Sequence, residues 1–136
     1  MVTETLHDDL IDSGEELLKQ IDAANVRVDA ALWLYFPDID SWKLMLSLPE
    51  IIKKGPKATY REVQKAFSKM KGERPISLDD VSIAKKDAPI LKLLRIVIKT
   101  GAGISNIRFS RNTINGVIIE DAYIYRLSNV VLSNII

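Results

Sequence analysis

Two neighbouring stretches in the first half of the chain alternate with the two-residue period of β-strands. In residues 28–36 the even positions are all apolar and the odd positions from 31 to 35 nearly so, which predicts a central strand covered on both faces. Residues 42–48 alternate as a second strand that ends at Pro49. Because Pro37-Asp38-Ile39-Asp40-Ser41 between them is typical of a turn, we expect the two strands to be antiparallel.

A first helix is predicted before these strands. Ser13-Gly14-Glu15-Glu16 has the form of a capping box, in which the serine and the last glutamate satisfy each other's backbone amides. Apolar residues follow at helical spacing: Leu17, Leu18, Ile21 and Ala24. The helix should therefore begin at Ser13 and end near Asn25, and residues 1–12 are expected to be a frayed leader.

Two more helices are predicted further along the chain. The first covers residues 57–70, with its apolar residues on one side. The other begins at Asp87 and Pro89, extends to Thr100 and closes at Gly101, a residue suited to a left-handed cap. Because this last helix is apolar nearly all round, we expect it to pack deep against the sheet.

The clearest local signal is a hairpin at the end of the chain. Ile104–Ile114 and Val117–Leu127 are rich in β-forming residues, and Asn115-Gly116 between them is the pair that best fits a type I′ turn. Such a two-residue loop sets the register, placing Ile114 opposite Val117, Arg111 opposite Glu120 and Arg108 opposite Tyr123. We expect Arg111 and Glu120 to form a cross-strand ion pair.

The order of these elements predicts the fold class. Residues 76–84 add a third strand, although Asp79-Asp80 weakens its first half. The order α-β-β-α-β-α-β-β predicts an α+β fold, with a single mixed, mainly antiparallel sheet of about five strands packed by about three helices. We expect residues 1–136 to form one domain, with 129–136 as an apolar C-terminal tail.

Composition excludes several kinds of chemistry. Among 136 residues there is no cysteine and a single histidine, His7. Thiol nucleophiles, disulfides, cysteine-bound metals and sites with two histidines are therefore ruled out. We expect no cofactor, and a metal could be bound through carboxylates alone. The longest apolar run, Ala30–Phe36, is far shorter than the roughly 20 residues of a membrane helix, so we expect a cytoplasmic protein.

Charge is segregated along the chain, although the net charge is only +1. Residues 1–52 have a net charge of −8, residues 53–75 of +6 and residues 76–136 of +3. The positive segment contains five cations at four-residue intervals, named here the basic stripe: Lys53, Lys57, Arg61, Lys65 and Lys69. In a helix, the last four lie on the side away from Tyr60, Val63 and Phe67.

Three interpretations of the basic stripe remain open. It could bind an anionic partner, either nucleic acid or an acidic protein, with Arg108 and Arg111 as additions. It could be the solvated face of an amphipathic helix. It could also pair with acidic residues of the first helix, Glu15, Glu16 and Asp22, in the same chain or in a second subunit. The aromatic residues Trp33, Trp42, Tyr60 and Phe67 have core spacing and are expected to pack.

The last hairpin and the first turn contain the remaining candidate chemistry. One face of the hairpin should hold Arg108, Ser110, Asn112, Asp121, Tyr123 and Tyr125, and the other Arg111, Glu120 and Arg126. Such a face could be an acid–base or phosphate-binding site, or simply a solvated surface. Carboxylates for a divalent-metal hydrolase or nuclease would come from Asp29, Asp38, Asp40, Glu120 and Asp121.

No motif in the sequence concentrates a catalytic set, so we expect a small binding or regulatory module rather than an enzyme. The leading hypothesis is that the basic stripe contacts an anionic partner. A metal-dependent hydrolase is the first alternative. The second is an assembly protein that forms a homo-oligomer through the tail residues Val130, Val131, Leu132, Ile135 and Ile136.

Overall fold

The computed structural model describes residues 5–72 and 75–128. Outside this part lie residues 1–4 of the expected leader and the apolar tail, 129–136. The hypothesis of assembly through the tail therefore concerns residues outside the described part. The helices are α1 (Asp8–Ala23), α2 (Pro56–Lys69) and α3 (Pro89–Val97). The strands are β1 (Ala30–Phe36), β2 (Ser41–Ser47), β3 (Val81–Ile83), β4 (Ile107–Ile114) and β5 (Val117–Leu127).

The five strands form one open sheet in the order β3-β2-β1-β5-β4. β1 pairs antiparallel with both β2 and β5, while β3 runs parallel to β2. Between β1 and β2 the chain turns through a short 3-10 helix, Pro37–Ile39, and the left-handed residue Asp40. The predicted α+β class is therefore confirmed, with a mixed, mostly antiparallel sheet and β1 at its centre.

Each face of the sheet has its own apolar core. The odd residues Ala31, Trp33 and Tyr35 of β1 belong to a first core, which also contains buried residues of α1 and α2. The even residues from Ala30 to Leu34 belong to a second core, shared with α3. The sheet is thus covered by two helices on one side and by one on the other, because β1 is apolar at both even and odd positions.

The prediction for the start of α1 is wrong. The helix begins at Asp8, so Ser13 lies inside it and no capping box forms there. Leu10 and Ile11 extend the apolar spacing and pack against the first core, which favours helix through this segment. Asp8 and Asp9 lie in the first turn, where negative charge complements the helix dipole.

Gly14 has a packing role in the middle of α1. A Cβ atom at this position would lie 2.5 Å from Tyr125 Oη and 2.8 Å from Trp33 Nε1. The absence of a side chain lets the helix backbone approach the sheet, and Tyr125 donates a hydrogen bond to the carbonyl oxygen of Ile11 at 2.5 Å. Glycine disfavours helix in general, so its presence here reflects this close contact.

The end of α3 also differs from the prediction. The helix ends at Val97 rather than Thr100, and Gly101 is not among the residues of positive φ. Thr100 instead forms a parallel bridge with Ser128, and its amide donates to the carbonyl of Leu127 at 3.0 Å. This pairing requires extended backbone, which ends the helix. Ile96 and Val97 are 56% and 53% exposed, so the helix packs on one side only.

The third predicted strand is shorter than expected. Residues 78–80 form a 3-10 turn and only Val81–Ile83 pair with β2. The Asp80 carboxylate accepts from the backbone amide of Ser77 at 2.8 Å, in a capping box that begins the turn. The consecutive aspartates therefore favour a turn over a strand, because their side chains bond to the local backbone.

The register of the last hairpin is confirmed. Asn115 and Gly116 have φ values of 49° and 80°, as a type I′ turn requires. Ile114 pairs with Val117, and Arg108 pairs with Tyr123. β4 begins at Ile107, three residues after the predicted start.

We predict that Gly14→Ala destabilises the protein even though alanine favours helix. The added methyl group overlaps Tyr125 and Trp33, and overpacking of this kind costs about 1–3 kcal/mol. Urea unfolding should show this loss. Gly101→Ala is the matched control: nothing lies within 4 Å of its Cβ position, so stability should stay within about 0.5 kcal/mol. Equal stability of Gly14→Ala and the natural protein would contradict the role assigned to this contact.

Candidate functional site

Helix α2 is placed by its apolar side and by its first turn. It begins at Pro56, which follows Gly55 at φ 102° and needs no amide partner in the first turn. Thr59 donates its hydroxyl to the carbonyl oxygen of Gly55 at 3.0 Å. Val63 and Phe67 are buried in the first core, and α2 packs beside α1 and against β3 at one edge of the sheet.

The basic stripe lies on the outer side of α2. Lys57, Arg61, Lys65 and Lys69 are all exposed, and so is Lys53 in the 3-10 turn before the helix. At 100° per residue, Arg61 points directly away from the buried residues. The four helical cations extend over about 18 Å at 1.5 Å per residue. The predicted placement of the stripe on one solvent face is confirmed.

Most charges of the basic stripe have no partner in the described part of the chain. Lys65 contacts Glu62 of the same helix at 3.3 Å, and its own ammonium group remains well exposed. Within the described residues, 5–72 and 75–128, the other four stripe residues form no ion pair and no side-chain hydrogen bond. They are Lys53, Lys57, Arg61 and Lys69. Among the described residues, the stripe is therefore a row of exposed cations with one weak neutralising contact.

The acidic residues of α1 do not neutralise the basic stripe. Glu15 pairs with Lys19 at 3.1 Å, and Glu16 accepts a hydrogen bond from Gln20 at 2.9 Å. Asp22 is bonded to both terminal nitrogens of Arg126, at 3.0 and 2.9 Å. Each of the three acids thus has a partner that is not on α2, so the described residues show no direct intramolecular pairing with the stripe. Pairing with the acids of a second subunit stays a prediction.

Arg108 and Arg111 are not part of the same surface. Both lie on β4, at the opposite edge of the sheet from β3 and α2. Arg108 donates two hydrogen bonds to Asp121, at 2.7 and 2.6 Å, and its guanidinium carbon lies 5.6 Å from the centre of the Trp42 ring. Its charge is therefore compensated locally, and the structure does not bring these two arginines to the stripe.

The polar face of the last hairpin forms in part. Arg108, Ser110 and Asp121 meet there, since the Ser110 hydroxyl donates to Asp121 at 2.6 Å. Tyr123 donates to the side-chain oxygen of Asn106 at 2.8 Å. Tyr125 instead lies under α1, where it accepts from Trp33 Nε1 at 3.0 Å. The members of this face satisfy one another, as in a structural surface network.

Two predictions about the opposite hairpin face are wrong. Arg111 has a φ of 48°, which removes its side chain from the regular alternation, and among the described residues no ion pair joins it to Glu120. Arg126 lies opposite Ala31 because the register of β1 and β5 shifts by one residue at Tyr125. This β-bulge turns Arg126 toward α1, where it is 4% exposed.

A second buried charge was also missed. Asp29 is 2% exposed, and its carboxylate lies 3.6 Å from Arg95 of α3. Arg95 in turn donates to the backbone oxygen of Lys86 at 2.6 Å. No local pattern could reveal this contact, because Asp29 and Arg95 are far apart in the sequence.

The candidate carboxylates for a metal site do not converge. Asp40 accepts a hydrogen bond from Tyr35, Asp121 is bonded to Arg108, and Asp29 lies beside Arg95. Over residues 5–72 and 75–128, no group of three or more histidine, aspartate and glutamate side chains is arranged to hold a metal ion.

The Arg108–Asp121 pair shifts the ionisation of both partners. A hydrogen bond to Asp121 raises the pKa of Arg108 above its ordinary value. Burial raises the pKa of Asp121, but hydrogen bonds from Arg108 and Ser110 outweigh this, and the pKa is held below its ordinary value of 3.8. Burial raises the pKa of Tyr123, and the nearby carboxylates of Glu15 and Asp12 raise it further.

Comparisons with known proteins were made for the whole chain. No family model, no curated protein and no solved structure matches it. None of the helices in residues 5–72 and 75–128 has both the length and the apolar character needed to cross a bilayer.

We predict that the Arg108–Asp121 pair makes stability depend on pH in acid. The unfolded chain takes up a proton at Asp121 at a higher pH than the folded protein does, so protonation favours unfolding. The free energy of unfolding should therefore fall as the pH drops below the ordinary pKa of 3.8. In Asp121→Asn this fall should be shallower, as measured by urea unfolding at a series of pH values. Asp38→Asn, at an exposed position, is the control. If the free energy of unfolding falls equally steeply with decreasing pH in both variants, the prediction is refuted.

Proposed function

We propose that the protein binds nucleic acid through the basic stripe on α2. The observation that supports this most directly is the row of exposed cations on the outer side of the helix, of which only Lys65 contacts an acid within the described residues. Like charges four residues apart on a helix repel by a few tenths of a kcal/mol per pair. A row of phosphates removes this repulsion and adds affinity through the release of bound counterions.

The spacing of the cations favours a polyanion over an acidic protein surface. Four charges follow one another at about 6 Å of rise, along about 18 Å of helix. Phosphates repeat at short, regular intervals along a nucleic-acid strand, whereas carboxylates on a folded protein surface are interspersed with other residues. In the part of the chain that the structure describes, the acids of α1 are paired elsewhere and Glu62 is the one acid that contacts the stripe.

Backbone contacts of this kind give affinity without sequence recognition. The proposed function is therefore general binding to a phosphate backbone. Arg108 and Arg111 are left out of the interface, since they lie at the far edge of the sheet.

We predict that reversing three charges of the stripe abolishes binding. The measurement is fluorescence anisotropy of labelled single- and double-stranded DNA and RNA at two or more salt concentrations. For the natural protein, the logarithm of the binding constant should fall with the logarithm of salt with a slope of about −3 to −4, for four phosphate contacts. The variant Lys57→Glu, Arg61→Glu, Lys65→Glu should show no binding at low salt.

The matched control reverses three exposed cations elsewhere: Lys85, Lys86 and Lys92. This second triple variant has the same net charge as the first, so long-range repulsion of nucleic acid is equal in the two. This second variant should retain at least half of the binding free energy that the stripe contacts contribute in the natural protein. Equal loss of binding in both variants would reject the stripe as the contact surface. Absence of binding by the natural protein at low salt would reject the proposed function.

A further inference from the structure

The solvent-facing side of α2 matches the groove of a duplex in size. The helix has 14 residues, so it is about 21 Å long, and a helix with its side chains is about 10–12 Å across. The major groove of B-form DNA is about 12 Å wide and admits one α-helix. The exposed residues after Pro56 all fall within an arc of about 140° around the helix: Lys57, Arg61, Gln64, Lys65, Ser68 and Lys69. In the part of the chain that the structure describes, this side of α2 is therefore open to a partner.

The middle of this side holds groups that can bind the edges of bases. Arg61 points directly away from the buried residues, and Gln64, three residues further along, is its neighbour on the helix surface. An arginine fork can bond to O6 and N7 of guanine, and a glutamine amide to N6 and N7 of adenine. Neither side chain has a hydrogen-bond or ion-pair partner within residues 5–72 and 75–128. Both are therefore available for contacts with bases.

The lysines of the basic stripe surround this pair. Lys57 and Lys65 lie one turn before and one turn after Arg61. Lys53 and Lys69 lie beyond them. When a helix lies in a groove, side chains at the centre of its face meet the bases, while long side chains around them reach the phosphates. With Arg61 directed at a base, the four lysines remain for the four phosphate contacts of the proposed function.

The aromatic side chains argue against a single strand as the preferred ligand. Proteins that bind single strands stack the bases on aromatic side chains. All nine aromatic residues of this chain lie in the described part, and none of them is exposed. On α2 itself, Phe67 is buried and Tyr60 is half-buried. The surface therefore offers cations and hydrogen-bonding groups, which suit a duplex whose paired bases present only their edges.

We infer that α2 enters the major groove of duplex DNA, with Arg61 and Gln64 at the base edges and the stripe lysines on the phosphates, an inference that rests on the proposed function. Duplex RNA does not offer the same site, because the major groove of an A-form helix is deep and too narrow for side chains to read. The protein should therefore prefer duplex DNA to duplex RNA and to single strands, while the lysines supply the affinity common to all of them.

The experiment compares four probes by fluorescence anisotropy. The first is a duplex DNA of roughly 20 base pairs, or two helical turns, with mixed sequence. The second is the same duplex with a glucosylated hydroxymethyl group on C5 of every cytosine, which fills the major groove and leaves the phosphates unchanged. The third is the RNA duplex of this sequence, and the fourth is one strand of the first. The natural protein should bind the first probe at least about fivefold more tightly than each of the others, the lower end of what one bidentate base contact contributes.

Two double variants locate the effect. Arg61→Lys with Gln64→Ala keeps the charge of the stripe but removes the planar fork and the amide, so the affinities for the plain and glucosylated duplexes should come close together. The matched control makes the same two changes away from α2: Arg111→Lys at the far edge of the sheet, with Gln20→Ala on α1. It should leave the preference unchanged. Melting temperatures of both variants check that they fold.

The outcomes separate this inference from the proposed function. Equal affinity for the plain and glucosylated duplexes, with binding still abolished by the three charge reversals, overturns the inference and leaves the proposed function in place. A preference for the single strand or for duplex RNA overturns it as well, and so does an equal effect of the two double variants. If none of the four probes binds at low salt, the proposed function fails and the inference fails with it. A preference for the plain duplex that only the α2 variant removes supports both.

Discussion

The close contact between α1 and the centre of the sheet is the constraint on which the first face of the molecule depends. Gly14 lets the helix backbone approach until Tyr125 bonds to the carbonyl of Ile11 at 2.5 Å and accepts from Trp33 at 3.0 Å. These bonds satisfy the two large polar side chains within an apolar core, where an unpaired group costs about 1–3 kcal/mol. Because each bond has a narrow range of lengths, they fix the distance of α1 from β1 and β5.

The position of α2 follows from that of α1. Val63, Ala66 and Phe67 belong to the same core as Leu17 and Leu18, so the two helices share one apolar layer above the sheet. Once this side of α2 is buried, helical geometry leaves every fourth residue from Lys57 onward on the outside. The exposure of the basic stripe is therefore a consequence of core packing. It needs no special interaction of the cations themselves.

Local periodicity was enough to predict the central strand, the last hairpin and the stripe, since each depends on residues close together in sequence. The errors occur where distant segments compete with a local signal. Ser13 resembles a helix cap, but the helix begins earlier because Ile11 meets Tyr125, 114 positions away. Thr100 leaves the helical pattern to pair with Ser128. A bulge at Tyr125 reverses the side on which Arg126 lies.

The separation of charge along the chain becomes a separation in space. The acids of α1 are used within the fold: Asp22 compensates the buried Arg126, and Glu15 and Glu16 pair along their own helix. Within residues 5–72 and 75–128, Lys65 alone among the cations of α2 contacts an acid. Contacts with phosphates supply affinity and do not distinguish one polymer from another, whereas contacts with bases do.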